Sequence, residues 1–402
     1  MFRNKQISFL TLALLALTAL LIAACAPAAQ PTAAPPTSAA QPTTAQPTTQ
    51  ATSAPQPTAA QPTAAQPTAA QATSAPQPTS AQATSAPSGA NKFYYVTPNP
   101  IGVNAFLQLG KVGTEAAAKK YNASVKTLES ENDPSSREEN VRAAINDGAN
   151  VVVVIGFEFA DIIPKVAAES PKVDFIIVDQ CIDPIPANVR CAVFREYEAG
   201  YLLGAEAGLL TKSNKVAAIS AIDIPFLHRY TDSFIAGAKA VNPNITDTAV
   251  RWIGTDPSAF SDPAKAKEQA LALAGQGYDQ IFAAGAASNL GIFEAAKEKN
   301  FQTYGVDVNQ CPSAPGFIVD NLLKRVDNAV VQAVDASLGG QPSGVSVLGL
   351  KEGGVGIIPF ADPNAAQSQC LIMQHPDIIA QVKDLQDKII SGALQLKDPM
   401  NP

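Results

Sequence analysis

The chain has 402 residues, 35 of them acidic against 28 basic, for a formal net charge of −7. With no Lys/Arg cluster beyond ordinary helix surfaces, that balance argues against nucleic acid as a partner, because a polyanion needs a basic face. Two histidines are present, and HExxH, GxSxG, GxxxxGK[ST] and a strand-following GxGxxG are missing. The expectation is therefore no enzyme, no metal centre and no cofactor. A carboxylate pair, with Asp161 and Asp307 the nearest candidates, is the route left to catalysis.

The N-terminus begins with Arg3 and Lys5, followed by an apolar run from Ile7 to Ile22 and then Ala23, Ala24 and Cys25. Small residues directly before a cysteine resemble the bacterial lipobox, so residues 1–24 read as an export signal and Cys25 as the lipid anchor. An uncleaved membrane anchor is the alternative. From Ala26 to Ala90 the chain uses only Ala, Pro, Gln, Thr, Ser and one Gly. Such a stretch has nothing large and apolar with which to offset its ordering entropy, so 25–90 reads as a spacer biased towards polyproline II. As a coil it reaches on the order of 45 Å, and fully extended about 200 Å. A glycosylated stalk is the other reading.

Residues 91–402 suffice for one large or two medium domains. "KFYYV" (92–96) predicts a strand, Phe106 to Tyr121 a helix, "SVKTL" a strand, Arg137 to Asp147 a helix and "VVVVIG" (151–156) a strand buried on both faces. A helix over Asp161 to Glu169 and the strand "DFIIVD" (174–179) complete a doubly wound lobe. The alternation then restarts. "KVAAIS" (215–220), a helix around Tyr230 to Val241, "AVRWIG" (249–254), helix 263–275, "QIFAAG" (280–285), helix 289–299 and "TYGVD" (303–307) form a second set. The strand ends carry Gly156, Asp179, Ser220, Gly254, Gly285 and Asp307, where ligands of open parallel sheets sit. Beyond Cys25 four cysteines remain, and an even number in an exported chain suggests disulfides Cys181 with Cys191 and Cys311 with Cys370. Free buried thiols are the alternative.

The blocks "VVVVIGFEFADIIPKVAAESPKVDFIIVD", "FREYEAGYLLGAEAGLLT", "FIAGAKAVNPNI", "GIFEAAKEKN" and "YGVDVNQ" resemble, in order and spacing, the basic membrane lipoprotein family of PnrA-like ABC-importer binding proteins. The resemblance spans essentially 92–395. It implies an α/β, type I periplasmic-binding-protein fold of two Rossmann-like lobes closing about a hinge. It also implies a purine nucleoside as ligand, permease subunits as partners and a lipid-anchored place on the outer face of the cell membrane. The expected lobes are 91–193 with 321–345, and 194–320 with 346–402.

Carried over residue by residue, the resemblance puts Asp161 of "IGFEFAD" on a base N–H, although a helix N-cap explains it equally. Asp307 of "GVD" would grip ribose hydroxyls with two acceptors. Lys324 would reach a ribose oxygen and pair Asp307, or else sit with Arg325 at a solvated helix start. Tyr230, with Phe226 nearby, would stack on the base, and Phe106 or Phe157 would oppose it; aromatics at such spacing also build cores. His228 is a minor donor candidate. The family's "DKSFN" turn is here "PIGVN", which keeps Asn104 and loses the Asp, and "GGTG" has become "AASN". With a base-reading carboxylate gone, riboflavin or a sugar-like solute stands as the alternative ligand, and a receptor-coupled sensor as the alternative role.

Overall fold

The computed structural model describes residues 91–401; the expected leader 1–24, the anchor Cys25 and the spacer 25–90 lie outside the described residues. The chain opens with β1 (Lys92–Thr97), α1 (Ala105–Lys120), β2 (Ser124–Glu129), α2 (Pro134–Asn146), β3 (Val151–Ile155), α3 (Ile163–Glu169), β4 (Asp174–Val178) and β5 (Val189–Phe194). Polar caps fix the helix starts. Asn104 accepts from Leu107 N–H, and Asp133 accepts from Ser135 N–H just ahead of Pro134. Every residue of β3 is buried, as the unbroken β-branched run requires of a strand covered on both faces.

After Phe194 the chain crosses into a second lobe. It builds α4 (Glu196–Leu210), β6 (Lys215–Ser220), α5 (Pro225–Val241), β7 (Asp247–Trp252), α6 (Pro263–Gly275), β8 (Gln280–Ala284), α7 (Asn289–Lys299), β9 (Gln302–Asp307) and β10 (Ile318–Lys324). It returns for α8 (Val326–Leu338) and β11 (Gly344–Leu348), then crosses a third time to β12 (Val355–Ile357), α9 (Ile358–Ala361) and α10 (Pro376–Ser391). The first sheet runs β11-β5-β4-β3-β1-β2, all parallel; the second runs β12-β10-β9-β8-β6-β7, with only β12 antiparallel. The shared order places a topological switch point at the same place in each sheet, where ligands of such folds lie.

Two expected boundaries shift. Ile318–Lys324 belongs to the second sheet, so the return crossing falls at Arg325 rather than at 321, and Gly344–Leu348 belongs to the first sheet, so the last crossing begins after Leu348 rather than at 346. The three crossings lie side by side. Arg195 N–H donates to Leu348 carbonyl at 3.0 Å, and Arg325 N–H donates to Gly354 carbonyl at 2.8 Å. The Arg195 guanidinium holds Glu198 at 2.6 Å and also Glu352, while Leu350 N–H donates to Glu198 at 2.7 Å. This stitching defines the hinge.

Helices α4 and α5 pack backbone against backbone, and glycine permits it. A Cβ on Gly204 would stand 1.9 Å from Phe234 carbonyl oxygen, and one on Gly237 would stand 2.0 Å from Tyr201 carbonyl oxygen. The described cysteines form the disulfides Cys181–Cys191 and Cys311–Cys370.

Candidate functional site

Between the lobes, beyond the carboxyl ends of both sets of strands, lies a cleft partly open to solvent. The first lobe contributes the turn after β1 (Pro98, Asn99), the start of α1 (Asn104, Phe106) and the ends of β3 and β4 (Phe157, Glu158, Asp179). The second contributes Phe226 and Tyr230 of α5, Phe260, and the ends of β9 and β10, Asp307 and Lys324.

Lys324 is the centre of this site and is 1% exposed. Its ammonium is ion-paired with Asp179 of the first lobe, stands 2.9 Å from Glu196 Oε1 and donates to the Tyr230 hydroxyl at 2.9 Å. The rings of Phe194, Phe106, Phe226 and Tyr230 surround it at 4.9, 5.1, 5.3 and 5.6 Å. Burial acts to lower its pKa, but the charges of Asp179 and Glu196, helped by Tyr230 and Asp307, override this and hold it well above its ordinary range. Burial raises the Glu196 carboxyl against the pull of Lys324 and Arg229. Arg229 stands 3.5 Å from Glu196 and grips Asp398 with two bonds, at 2.8 and 2.5 Å. A chain of charges thus runs from the C-terminal segment through α5 and α4 to the cleft.

Asp307 is 7% exposed. Burial pushes its carboxyl up to about 7 against the attraction of Lys324, with Asp179 and Glu196 adding to the rise. Asp179 and Asp307 hold equivalent places at the ends of β4 and β9, and both take positive φ, +80° and +69°. Left-handed backbone at a non-glycine residue stores strain, here at the end of one strand in each lobe. Glu158 is also raised to about 7, chiefly by burial.

The site corrects several sequence expectations. Asp161 is exposed and does not line the cleft: a one-turn 3-10 helix at Phe157–Phe159 precedes α3, and it aims Glu158 inward while carrying Asp161 out to the surface. Lys324 is not at a solvated helix start, and it pairs Asp179 and Glu196 instead of Asp307. Tyr230, Phe226 and Phe106 line the cleft, where their rings enclose the ammonium, and Tyr230 meets Phe226 edge-on at 5.8 Å. Across the lobes Phe157 meets Phe260, with centroids 6.5 Å apart and ring planes tilted by 46°. Asn104 lines the cleft while capping α1. His228 stands outside the lining, between Asp232 at 3.0 Å and Asp223 at 2.9 Å and against Trp252. Asn99, Glu158, Glu196 and Phe260 were not singled out from sequence. Asp179 carried a usable signal, a charged residue closing an apolar strand.

Two doubly wound lobes, three hinge crossings and a polar, aromatic-lined cleft define a solute-binding protein with the type I periplasmic-binding fold. The chain belongs to the family described as ABC transporter substrate-binding protein PnrA-like, which matches residues 92–398. It is 31% identical to the ABC transporter nucleoside-binding protein BmpA of Lactococcus lactis, over 56% of this chain and 68% of that protein. It is 27% identical to an uncharacterized lipoprotein of Pyrococcus furiosus, over 71% of this chain and 76% of that one. Among solved structures it resembles a solute-binding protein of an ABC transporter system from Aeropyrum pernix, at 25% identity and a TM-score of 0.66, covering 77% of this chain and 94% of that chain.

Proposed function

We propose that this protein captures a purine nucleoside by closing its two lobes, and delivers it to the permease of an ABC importer from a lipid anchor at Cys25 on the outer face of the membrane. The observation that carries the reading is the juxtaposition, in one cleft, of aromatic rings from both lobes and buried carboxylates at strand ends. Phe157 and Phe260, tilted by 46° with centroids 6.5 Å apart, offer aromatic surface against which a flat heterocycle packs once the rings turn to admit it, and Asp307 with Asp179 offers acceptors for adjacent ribose hydroxyls. Only the closed arrangement brings residues of both lobes onto one solute, so binding shifts the population towards closure. The name of the Lactococcus relative supports the same ligand class.

Thermal melting of the protein, refolded to remove bound solute, tests this against nucleosides, free bases, riboflavin and sugars. A ligand at 100 times its dissociation constant adds about 2.7 kcal/mol. A shift with purine nucleosides and none with ribose supports the reading; a response only to riboflavin or a sugar overturns it.

A further inference from the structure

One corner of the cleft presents acceptors that the mechanism of capture has not used. Asn99 is 5% exposed and lines the cleft, yet its side-chain oxygen Oδ1 is buried and finds no partner in the protein. Its own backbone is held still by Thr97, whose hydroxyl donates to Asn99 carbonyl at 2.7 Å. A fixed, buried, unpaired acceptor costs stability unless something supplies a donor.

Glu158 shares this corner. Its Oε2 lies 2.4 Å from where a Cβ on Gly156 would stand, and Pro98 Cγ lies 3.5 Å from the same point. Gly156 has φ +100°, a conformation closed to other residues, so glycine both makes the turn and leaves room for the carboxyl. Arg137 supports the corner from behind: it is buried, and its Nε donates to Pro98 carbonyl at 3.0 Å.

We propose that Asn99 and Glu158 are the specificity-determining residues of the cleft, and that they select a heterocycle presenting adjacent N–H donors, the 2-amino-6-oxopurine edge of guanosine. The assignment rests on the nucleoside reading of this cleft. Burial favours the protonated Glu158 in the solute-free cleft, and N–H donors of the solute draw it into the ionised form, whose two oxygens accept from N1–H and one 2-amino hydrogen while Asn99 Oδ1 accepts from the other. Inosine lacks the 2-amino group and leaves two buried acceptors unpaired. Adenosine turns the acceptor N1 towards the carboxyl and fits worse.

Calorimetric titration of the solute-free protein with guanosine, inosine and adenosine tests the assignment in the wild type, Glu158→Gln and Asn99→Ser, with circular dichroism confirming that each variant is folded. Wild type should bind guanosine about 10- to 100-fold more tightly than inosine, as expected for hydrogen bonds to a charged group. Glu158→Gln, which keeps the shape of the side chain, should bring that ratio to within about threefold, and Asn99→Ser should reduce it by a smaller factor. Binding of all three nucleosides without preference for guanosine, or an unchanged ratio in Glu158→Gln, overturns the assignment and leaves the nucleoside reading standing. Failure of every nucleoside to bind overturns both.

Discussion

Replacing Lys324 by methionine keeps the length of the side chain and removes its charge, which leaves Asp179 and Glu196 facing one another in a buried site. Breaking a buried ion pair from one side costs about 3–5 kcal/mol, because the remaining charge is uncompensated. The carboxylates can escape by taking up a proton. Placing one proton becomes easier by about 1.4 kcal/mol for each unit of pH lowered, so the deficit should shrink by about 3 kcal/mol between pH 8 and pH 5.5. Arg229, 3.5 Å from Glu196, still offsets that residue, so Asp179 is the group left most exposed to the loss. Asp179→Asn in the Lys324→Met background should therefore recover stability rather than add to the loss, as residues of one network do. Urea unfolding of the wild type, the two single variants and the double variant at both pH values measures all of this. A deficit below about 1 kcal/mol at pH 8, or one equal at the two pH values, would refute the sequestration of Lys324.

Stability should fall as pH rises from 5.5 to 8. Asp307, Glu158 and Asp320 are raised to about 7 and keep protons that the unfolded chain has already released near pH 4, and His228, also raised, loses its contribution on the way up. Asp147, lowered to about 2, acts in the opposite sense but only below pH 4. A urea midpoint that rises with pH would contradict this assignment. Gly204→Ala should cost about 1–3 kcal/mol through forced separation of α4 and α5, seen as a lower melting temperature; an unchanged melt would show that the helices part freely. Reducing the disulfides, with sequence separations of 59 and 10, should remove about 4 and about 3 kcal/mol by the chain-entropy relation, measured by unfolding with and without reductant. Asp307→Ala should weaken nucleoside binding by about 2 kcal/mol, and unchanged affinity would take Asp307 out of the site.

The alternating pattern of the lobes is legible because each central strand is covered on both faces and is written almost wholly in apolar residues, as in Val151–Ile155 and Gln280–Ala284. The pattern is silent where polar residues are buried by tertiary neighbours. The strand Ile318–Lys324 carries Asp320, Asn321 and Lys324, all fully or almost fully buried, because it lies between β9 and β12 and no periodicity records that placement. Helix Glu196–Leu210 likewise buries Glu196 and Glu206, the latter beside Asp320, whose nearness raises the Glu206 carboxyl further after burial has done so. The Asp161 expectation fails for a local reason. Residues 157–159 form a 3-10 turn and the following α-helix starts at Ile163 rather than at Asp161, and that tighter turn decides which carboxylate of "FEFAD" faces the cleft.

The charge inside the cleft bears on which solutes it admits. Glu158, Asp179 and Asp307 line it, Glu196 lies directly behind, and Lys324 is the cation they surround. Lys324 is already neutralised by two carboxylates, and Arg137 is turned to the Pro98 carbonyl. A phosphorylated solute entering here would meet like charge in a poorly hydrated space, where repulsion is felt more strongly than in water. Neutral hydroxyls and ring N–H groups meet acceptors instead. Lys324 belongs to the second sheet and Asp179 follows the strand Asp174–Val178 of the first, so their pair also ties the lobes together, and a solute hydroxyl reaching Asp179 would join a contact between the lobes. On the proposed function, selectivity for uncharged, donor-rich solutes and the closing motion would depend on the same few buried charges.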